Sequence, residues 1–328
     1  MSSAHPRVRW GVLGTGTIAQ KFVAALATTE HGRLHAVASR SPDNARSFAA
    51  AHGVVRAHPD YASLLADPEL DAVYIATPTR LHLEHCTAAL EHGLAVLCEK
   101  PLALTRAEGE QIVARARAAE VFCMEAMWMR FHPLVQELRG WIADGQLGRP
   151  TSLEASLGWA KERERVERPE LGRGAMLDFG VYPLSLAQYL LGSPDEVAVE
   201  VRRHASGVDE WARVRLRYAS GCVAMLEASV SERLPNDAVV VGSQASARLA
   251  PPLLAPSALQ RLDGGWLRRS IGRLRATRAG REIPAGIGLR REAEELMRCV
   301  AQGRRESEVM PLDASLEVLG WIDRVRQP

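Results

Sequence analysis

The sequence predicts an α/β protein in which a doubly wound parallel sheet is followed by an α+β domain with an open-faced, mainly antiparallel sheet. Three observations support this prediction. Short apolar runs alternate with helical patterns up to about residue 125, which is typical of βα units. Alternating, half-buried strand patterns follow between residues 211 and 241. The 328 residues are enough for two domains with separate cores, which we place at 1–125 and 126–328.

The composition is that of an ordinary globular protein. The chain has 41 Lys and Arg against 39 Asp and Glu, so no charge imbalance favours nucleic acid or a membrane surface. The start of the chain lacks the apolar core of a signal peptide, and no apolar run reaches membrane-spanning length. The cysteines have no paired spacing, which indicates reduced thiols: Cys86, Cys98, Cys123, Cys222 and Cys299. We therefore expect a cytoplasmic protein.

The first predicted strand, Val8–Leu13, runs into a glycine-rich turn and then a helix. Gly14, Gly16 and Ala19 match the Gly-x-Gly-x-x-Ala form of the dinucleotide fingerprint. Gly14 permits a tight turn, Gly16 lets the backbone approach a pyrophosphate, and the helix N-terminus supplies N–H donors. The alternative is a strand–helix turn without a ligand. Because strand, motif and helix come in the required order, the pattern favours dinucleotide binding.

The second predicted strand, Leu34–Ser39, ends where the ribose of adenosine lies in such folds. Enzymes that prefer NAD usually carry Asp or Glu there, whereas this chain has Ser39-Arg40-Ser41. A guanidinium beside two hydroxyls can hold a 2′-phosphate, and no carboxylate repels one. We therefore expect NADP(H). The alternative is a solvated arginine in the loop before Pro42.

A buried strand, Leu94–Cys98, ends at Glu99-Lys100-Pro101. The carboxyl ends of strands in an open α/β sheet form the edge where ligands bind. A lysine there suits acid/base chemistry, and the alternative is a surface ion pair beside a turn proline.

Further βα units surround this strand. Strands are predicted at Asp71–Ala76 and Val121–Glu125, and a Thr105-x-x-Glu108 capping box opens a helix. On the helix over residues 80–92, His82, His85 and Cys86 share one face. No distant ligand set accompanies them, so we expect no metal.

The second half contains three strand-like runs and a helix with two polar residues. The runs are Trp211–Tyr218, Cys222–Val230 and Ala238–Val241. Glycines open a helix near residue 172 that ends at Gly192. On it Asp178 and Tyr182 are four apart and share one face, and Pro183 predicts a kink just beyond the tyrosine. A nearby cation lowers the pKa of a tyrosine hydroxyl, which would let Tyr182 give a proton to a forming alkoxide. The alternative is a core tyrosine with a capping aspartate.

Together these motifs resemble the Gfo/Idh/MocA (glucose–fructose oxidoreductase / inositol dehydrogenase) family over essentially the whole chain. The resemblance rests on Gly14–Ala19, Ala76-Thr77-Pro78 with His82, Glu99-Lys100-Pro101 and Asp178-x-Gly180-x-Tyr182-Pro183. Tyr182 and the Trp128-x-Arg130-Phe131 segment resemble the branch of dimeric dihydrodiol dehydrogenases, sugar 3-ketoreductases and xylose dehydrogenases.

The resemblance implies a Rossmann domain and a sheet used for oligomerisation, so we expect a homodimer or homotetramer through the open sheet face. It implies that Lys100 and Tyr182 flank the reacting carbon, that Asp178 supports them, and that the peptide bond before Pro101 is cis. The cofactor-binding residues it implies are Gly14, Gly16, Thr17, Ile18, Ser39, Arg40, Thr77, Pro78, His82, Glu99, Lys100, Trp128 and Arg130. Candidate substrate contacts are Phe131, Trp159, Arg173 and Asp178.

Two stretches depart from the family pattern. Arg173 stands where the family usually has the middle glycine of a triplet, and the loop from 161 to 168 is dense in alternating charge. Arg173 either lies in a solvated loop or reaches an anionic part of a substrate. The basic stretch from 268 to 281 is either a surface segment or a second phosphate contact.

The expected function is NADP(H)-dependent hydride transfer to or from a small carbonyl or alcohol compound. The substrate classes are a sugar, a nucleotide sugar, a polyol or a cyclic diol. Two alternatives stay open: a non-catalytic NADP-binding sensor of the same fold, and an enzyme that cleaves glycosides through transient oxidation. No Gly-x-Ser-x-Gly, P-loop or His-Glu-x-x-His motif favours a hydrolase, a nucleotide-hydrolysing enzyme or a zinc protease.

Overall fold

The computed structural model describes residues 7–54, 56–160, 173–263, 283–284 and 286–327. The chain forms two compact units. The first is Met1–Trp128 with Ala285–Leu316, and the second is Met129–Pro284 with Glu317–Pro328. Among the described residues, no helix is both long and apolar enough to cross a membrane.

The first unit is built on six parallel strands in the order β3-β2-β1-β4-β5-β6. Their bounds are β1 Val8–Leu13, β2 Gly32–Ala38, β3 Arg56–His58, β4 Ala72–Ile75, β5 Ala95–Glu99 and β6 Cys123–Ala126. The helices that follow them are α1 Thr17–Leu26, α2 Pro42–His52, α3 Tyr61–Leu65, α4 His82–Glu91 and α5 Arg106–Ala119. Strand order reverses between β1 and β4, so ligands are expected beyond the carboxyl ends of these strands. The predicted parallel sheet is confirmed.

Local sequence explains where the helices of the first unit begin. The Ser41 hydroxyl accepts from the Asn44 N–H at the start of α2, with Pro42 in the first turn. At α5, the Thr105 hydroxyl accepts from the Glu108 N–H, while the Glu108 carboxylate accepts from the Leu104 N–H. The predicted capping box is therefore present, and its second hydrogen bond comes from the N–H of Leu104, the residue before the N-cap.

A helix from the C-terminal part of the chain completes the first unit. This helix, α8 (Ile287–Ala301), packs against α1, β2, β5 and β6. Its backbone approaches that of Trp128 so closely that a Cβ at Gly288 would lie 2.5 Å from the Trp128 carbonyl oxygen. The predicted division into 1–125 and 126–328 has a single boundary, whereas the first unit also contains residues 285–316 and the second also contains residues 317–328.

The second unit contains a seven-stranded sheet in the order β13-β12-β11-β7-β10-β9-β8. The strands are β7 Pro150–Gly158, β8 Glu196–Arg203, β9 Asp209–Arg217, β10 Val223–Ser229, β11 Ala238–Gly242, β12 Ala245–Leu249 and β13 Leu259–Asp263. The other helices are α6 Pro133–Ala143, α7 Val181–Leu191 and α9 Leu312–Arg326. All pairings are antiparallel except β7 with β10. The predicted mainly antiparallel sheet is confirmed.

The two faces of this sheet differ as the alternating pattern predicted. Val214 and Leu216 on β9 are buried, and α7 and the helical turn before it pack against β10. Arg213 and Arg217 alternate with them and pair with Glu200 and Glu196 on β8. One face therefore belongs to the core, and the other carries charged pairs.

The helix that carries Tyr182 starts with a wide turn. Met176–Gly180 is π-helical, and the regular helix α7 begins at Val181. The distortion thus precedes Tyr182, whereas the sequence predicted a kink beyond it. Pro183 has no N–H to donate, and its ring crowds the carbonyl four residues earlier, which belongs to Phe179 inside the π-helical turn. Widening that turn accommodates the proline without breaking α7.

Candidate active site

The glycine turn after β1 has the geometry of an anion cradle. Gly14 has φ +105°, and a Cβ there would lie 2.7 Å from the Ala76 carbonyl oxygen, so only glycine fits. A Cβ on Gly16 would meet nothing within 4 Å. Gly16 is the N-cap of α1 and has no side chain to accept from the first N–H groups, those of Thr17 and Ile18 among them. These residues fit the pyrophosphate of a dinucleotide.

The segment after β2 presents an exposed guanidinium. Arg40 is exposed and forms no ion pair with any residue that the structure describes, and its charge opposes the rise that burial causes in the pKa of Tyr61. Ser39 is buried, and its hydroxyl accepts from the Ser41 N–H at 3.4 Å. The nearest carboxylate along the chain, that of Asp43, pairs with Arg46. Ser39-Arg40-Ser41 therefore contains no carboxylate at the end of β2, where an NAD-binding protein usually has one.

His82 ties together the segments that follow β4 and β5. Its Nδ1 lies 2.9 Å from the Pro101 carbonyl oxygen and its Nε2 lies 2.9 Å from the Thr77 carbonyl oxygen. Burial lowers the pKa of His82 to about 4, which outweighs the attraction of the carbonyls for a second proton. A neutral imidazole has one ring N–H, so His82 donates to one of these two carbonyl oxygens. It lies beside the peptide bond between Lys100 and Pro101, which is cis as the resemblance implies.

The side chain of Glu99 anchors the backbone of Lys100. The buried Glu99 carboxylate accepts from the Lys100 N–H at 3.1 Å and from the Tyr74 hydroxyl on the neighbouring strand. Burial raises the pKa of Glu99, whereas these hydrogen bonds and the positive charge of Lys100 act to lower it. Lys100 thus leaves the carboxyl end of β5 with its main chain fixed by its own neighbour.

Two further buried glutamates lie near Glu99, and sequence analysis missed both. Glu125 on β6 is buried and raises the pKa of Glu99. Glu292 on α8 is fully buried, and neither carboxylate oxygen has a hydrogen-bond partner among the described residues. Burial raises the pKa of Glu292 well above its usual range, and the charge of Glu99 adds to this effect. The available signal was a glutamate inside the apolar stripe of Leu289 and Leu296.

In the second unit, Asp178 lies on the π-helical turn and Tyr182 on the first turn of α7. Tyr182 is 5% exposed, whereas Asp178 is half-buried. Trp159 packs edge-on against Phe179, with ring centroids 5.1 Å apart. Arg173 is exposed three residues before Met176, where the helical segment begins. The charged loop and the basic stretch singled out in the sequence lie outside the described residues.

Arg130, which we expect to contact the cofactor, is buried against the helix of Tyr182. It is 1% exposed and donates to the Ser185 hydroxyl at 2.8 Å and to the Gln188 side-chain oxygen at 2.8 Å. Both acceptors lie on α7, so Arg130 braces the helix of Tyr182. Phe131 is buried, and Trp128 is half-buried.

The parallel sheet, the glycine turn at its switch point and the appended mixed sheet define a class: dinucleotide-binding proteins with a second α+β domain. Residues 8–127 match the family described as "Oxidoreductase family, NAD-binding Rossmann fold". Residues 135–248 match the "GFO/IDH/MocA C-terminal domain". The chain belongs to the Gfo/Idh/MocA oxidoreductase family.

Curated relatives and solved structures agree with this membership. A trans-1,2-dihydrobenzene-1,2-diol dehydrogenase of Homo sapiens is 32% identical over 327 residues, with 98% of this chain and 96% of the relative covered. The 3-ketoreductase KijD10 of Actinomadura kijaniata, crystallised with NADP, is 25% identical with a TM-score of 0.80 over 98% of this chain and 97% of that chain. The aldose-aldose oxidoreductase of Caulobacter crescentus shares the fold, with a TM-score of 0.85 at 24% identity over 97% and 96% of the two chains. The chain is an oxidoreductase that acts on CH–OH groups with a nicotinamide cofactor.

Proposed function

We propose that the protein is an NADP(H)-dependent dehydrogenase that transfers a hydride between nicotinamide C4 and a carbon of its substrate. That carbon is a secondary alcohol or ketone carbon, or sugar C1, of a sugar, nucleotide sugar, polyol or cyclic diol. The observation that carries the proposal is the position of Lys100 at the carboxyl end of β5, where Glu99 accepts from its N–H and His82 contacts the carbonyl of Pro101 that follows it. The named activities of the dihydrodiol dehydrogenase and the 3-ketoreductase support the substrate range.

Several described residues suit NADP(H) in particular. The turn of Gly14 and Gly16 would take the pyrophosphate, and exposed Arg40 would pair with a 2′-phosphate. Because Asp43 is paired with Arg46, it does not compete for Arg40. Thr77, Pro78 and His82 would shape the site beyond β4. The bound cofactor supplies or takes up the hydride.

The chain's own residues handle the proton. In the reducing direction the carbonyl carbon receives the hydride and the oxygen becomes negative. We assign the proton to the hydroxyl of Tyr182, while the ammonium of Lys100 stabilises the charge on the oxygen and Asp178 supports the pair. Exchange of the roles of Lys100 and Tyr182 is the alternative. In the oxidising direction the same groups remove the proton from the alcohol.

The first experiment measures NADPH oxidation and NADP⁺ reduction against keto-sugars, aldoses, cyclic diols and nucleotide sugars. Tyr182→Phe is compared with Tyr189→Phe, a matched control on the same helix. We expect Tyr182→Phe to lower turnover by roughly 10²- to 10⁴-fold and to leave NADPH affinity nearly unchanged. Turnover near that of the wild type in this variant would contradict the assignment. Bound cofactor without any turnover would favour the sensor, and glycoside cleavage without net NADPH consumption would favour the glycoside-cleaving enzyme.

We also propose that the charged face of the sheet joins subunits into a homodimer or homotetramer. It carries Arg213 within 3.6 Å of Glu227, and the Trp211 indole donates to Glu227 at 2.6 Å. A depression of about 270 Å³ lies on this face. The mass of the particle in solution, measured by light scattering, tests this proposal, and a monomer would contradict it.

A further inference from the structure

We infer that Asp209 is a positioning residue for Tyr182, because its carboxylate holds the first turn of the helical segment that carries Asp178 and Tyr182. This inference rests on the proposed role of Tyr182 in proton transfer. Asp209 is the first residue of β9, whereas the segment it holds begins at Met176.

The main contact is a hydrogen bond that caps the segment. The Met176 N–H donates to Asp209 Oδ2 at 2.7 Å. Ala175, at the N-cap position, has helical backbone angles and no side chain that can accept a hydrogen bond. The cap therefore comes from a strand 33 residues further along the chain. Since the first N–H groups of a helical segment lack internal partners, a buried carboxylate there fixes where the segment starts.

A second, independent feature lies at the same point. Gly174 has φ +152°, and a Cβ on it would lie 2.2 Å from Asp209 Oδ1. One carboxylate oxygen thus takes the Met176 N–H while the other lies against the backbone of Gly174. The chain passes so close to this carboxylate that only glycine fits.

Contacts within the segment carry this constraint towards Tyr182. The Val181 N–H donates to the Met176 carbonyl oxygen, across the wide turn. A Cβ on Gly180 would lie 2.4 Å from Met176 Sδ, so the Met176 side chain packs directly on Gly180. A displacement of Met176 therefore moves the two residues that precede Tyr182.

The charges around Asp209 make its ionisation relevant at ordinary pH. Asp209 is 2% exposed, and burial raises its pKa to about 6. The hydrogen bond from Met176 and the charges of Arg326 and Arg203 oppose that rise. Arg203 also donates to the Val325 and Gln327 carbonyl oxygens, each at 2.8 Å. The other carboxylate, that of Asp178, lies on the segment itself. A carboxylate accepts more strongly than a neutral acid, so the segment is held best above pH 6.

The test compares Asp209→Ala and Asp209→Asn in the full-length protein. Turnover is measured from pH 5 to 8, together with NADPH affinity and thermal unfolding. We expect Asp209→Ala to lower turnover by about 10- to 100-fold, without a change in NADPH affinity, because a misplaced proton donor costs rate rather than cofactor binding. Asp209→Asn keeps an accepting oxygen. It should retain most of the turnover and lose the rise in turnover through pH 6 that we expect of the wild type.

Gly174→Ala provides an independent variant, because its methyl group must displace the Asp209 carboxylate. Its effect on turnover should be smaller in the Asp209→Ala background than in the wild type, since the carboxylate is then absent. The matched control is Asp237→Ala, which removes an ion pair with Arg248 from the same sheet. It should affect unfolding and leave turnover unchanged.

Two results would overturn the inference. One is a lower unfolding temperature of Asp209→Ala with normal turnover well below that temperature, which would show a purely structural role. The other is full additivity of Gly174→Ala and Asp209→Ala. Tyr182→Phe is measured in parallel and tests the proposed function separately. If Tyr182→Phe loses turnover and Asp209→Ala keeps it, the inference about Asp209 is wrong and the proposed function stands. If Asp209→Ala does not fold, Asp209→Asn and Gly174→Ala decide the question.

Discussion

The segments of Lys100 and Tyr182 are held in place in different ways. The Lys100 N–H is held by Glu99 of the strand before it, and the Pro101 carbonyl contacts His82 of the preceding βα unit. Tyr182 follows a π-helical turn whose cap, Asp209, belongs to a strand that comes later in the chain. Parallel strands bring their carboxyl ends together by topology alone. The segment of Tyr182 has no accepting side chain at its own N-cap, Ala175, and its first N–H groups depend on a residue far along the chain.

The two braces also differ in the protonation state that they require. His82 acts as a neutral imidazole, because burial lowers its pKa to about 4. Asp209 is a better acceptor as a carboxylate, although burial raises its pKa to about 6. Acidification therefore acts on the two braces in opposite ways: it places a buried charge on His82 and removes the buried charge of Asp209.

The largest expected effect tests whether the two segments act as one catalytic unit. Lys100→Met and Tyr182→Phe should each lower turnover by roughly 10²- to 10⁴-fold, and the double variant should be little worse than either single variant. Stopped-flow or steady-state NADPH oxidation measures this, with Lys21→Met as the matched lysine control. Independent, multiplying losses would show that the two residues serve different steps.

The second prediction concerns the opposite effects of the two braces on stability against pH. The lowered pKa of His82 gives stability that is present above pH 6.5 and is lost as the pH falls towards about 4. The raised pKa of Asp209 gives stability that is present below pH 3.8 and is lost as the pH rises through about 6. Each contribution is about 3 kcal/mol.

Urea unfolding of three proteins between pH 4 and 8 checks this prediction. In the wild type, His82 should lower the free energy of unfolding as the pH falls, and His82→Gln should remove this decrease. Asp209 should lower the free energy of unfolding of the wild type as the pH rises from 4 to 7, and Asp209→Asn should remove this decrease. Parallel pH curves for the wild type and both variants would contradict the assignment of these two groups.

The third prediction concerns Glu292, whose buried carboxylate oxygens have no hydrogen-bond partner in the part of the chain that the structure describes. Glu292→Met should stabilise the protein by about 1–3 kcal/mol, since a buried polar group is replaced by an apolar one of similar size. The gain should grow as the pH rises, because the raised pKa of Glu292 makes its ionisation unfavourable in the folded state. Glu294→Met, an exposed residue paired with Arg290 on the same helix, serves as the control. A loss of stability in Glu292→Met would show that its carboxyl group has a required role.

The smallest expected effect concerns the choice of cofactor and should not disturb the segments of Lys100 and Tyr182. Arg40→Asp should change the ratio of NADP(H) to NAD(H) affinity by about tenfold or more towards NAD(H), because a charged hydrogen bond to phosphate is replaced by repulsion. Titration of both cofactors by fluorescence measures the ratio, and Arg46→Asp on the next helix is the control. An unchanged ratio would remove Arg40 from the cofactor site.

The sequence was informative wherever a local rule applies. Gly14 needs its positive φ, Thr105 caps its own helix, and the arginines of β9 alternate with apolar residues. The same rules did not predict the turn before Tyr182 correctly. Pro183 indicated a distortion, but whether the chain kinks after the tyrosine or widens before it depends on the sheet packed beneath.

The sequence by itself determined the parallel sheet, the dinucleotide turn and the candidate residues Lys100, Asp178 and Tyr182. Each of these is recognised from a pattern of residues that are close together in the chain. Only the tertiary structure decided that α8 returns to the first unit, that Glu292 lies buried near Glu99, and that Asp209 caps the segment of Tyr182. These contacts join residues far apart in the chain. Burial and hydrogen bonding between such residues depend on how the elements pack, which no local pattern encodes.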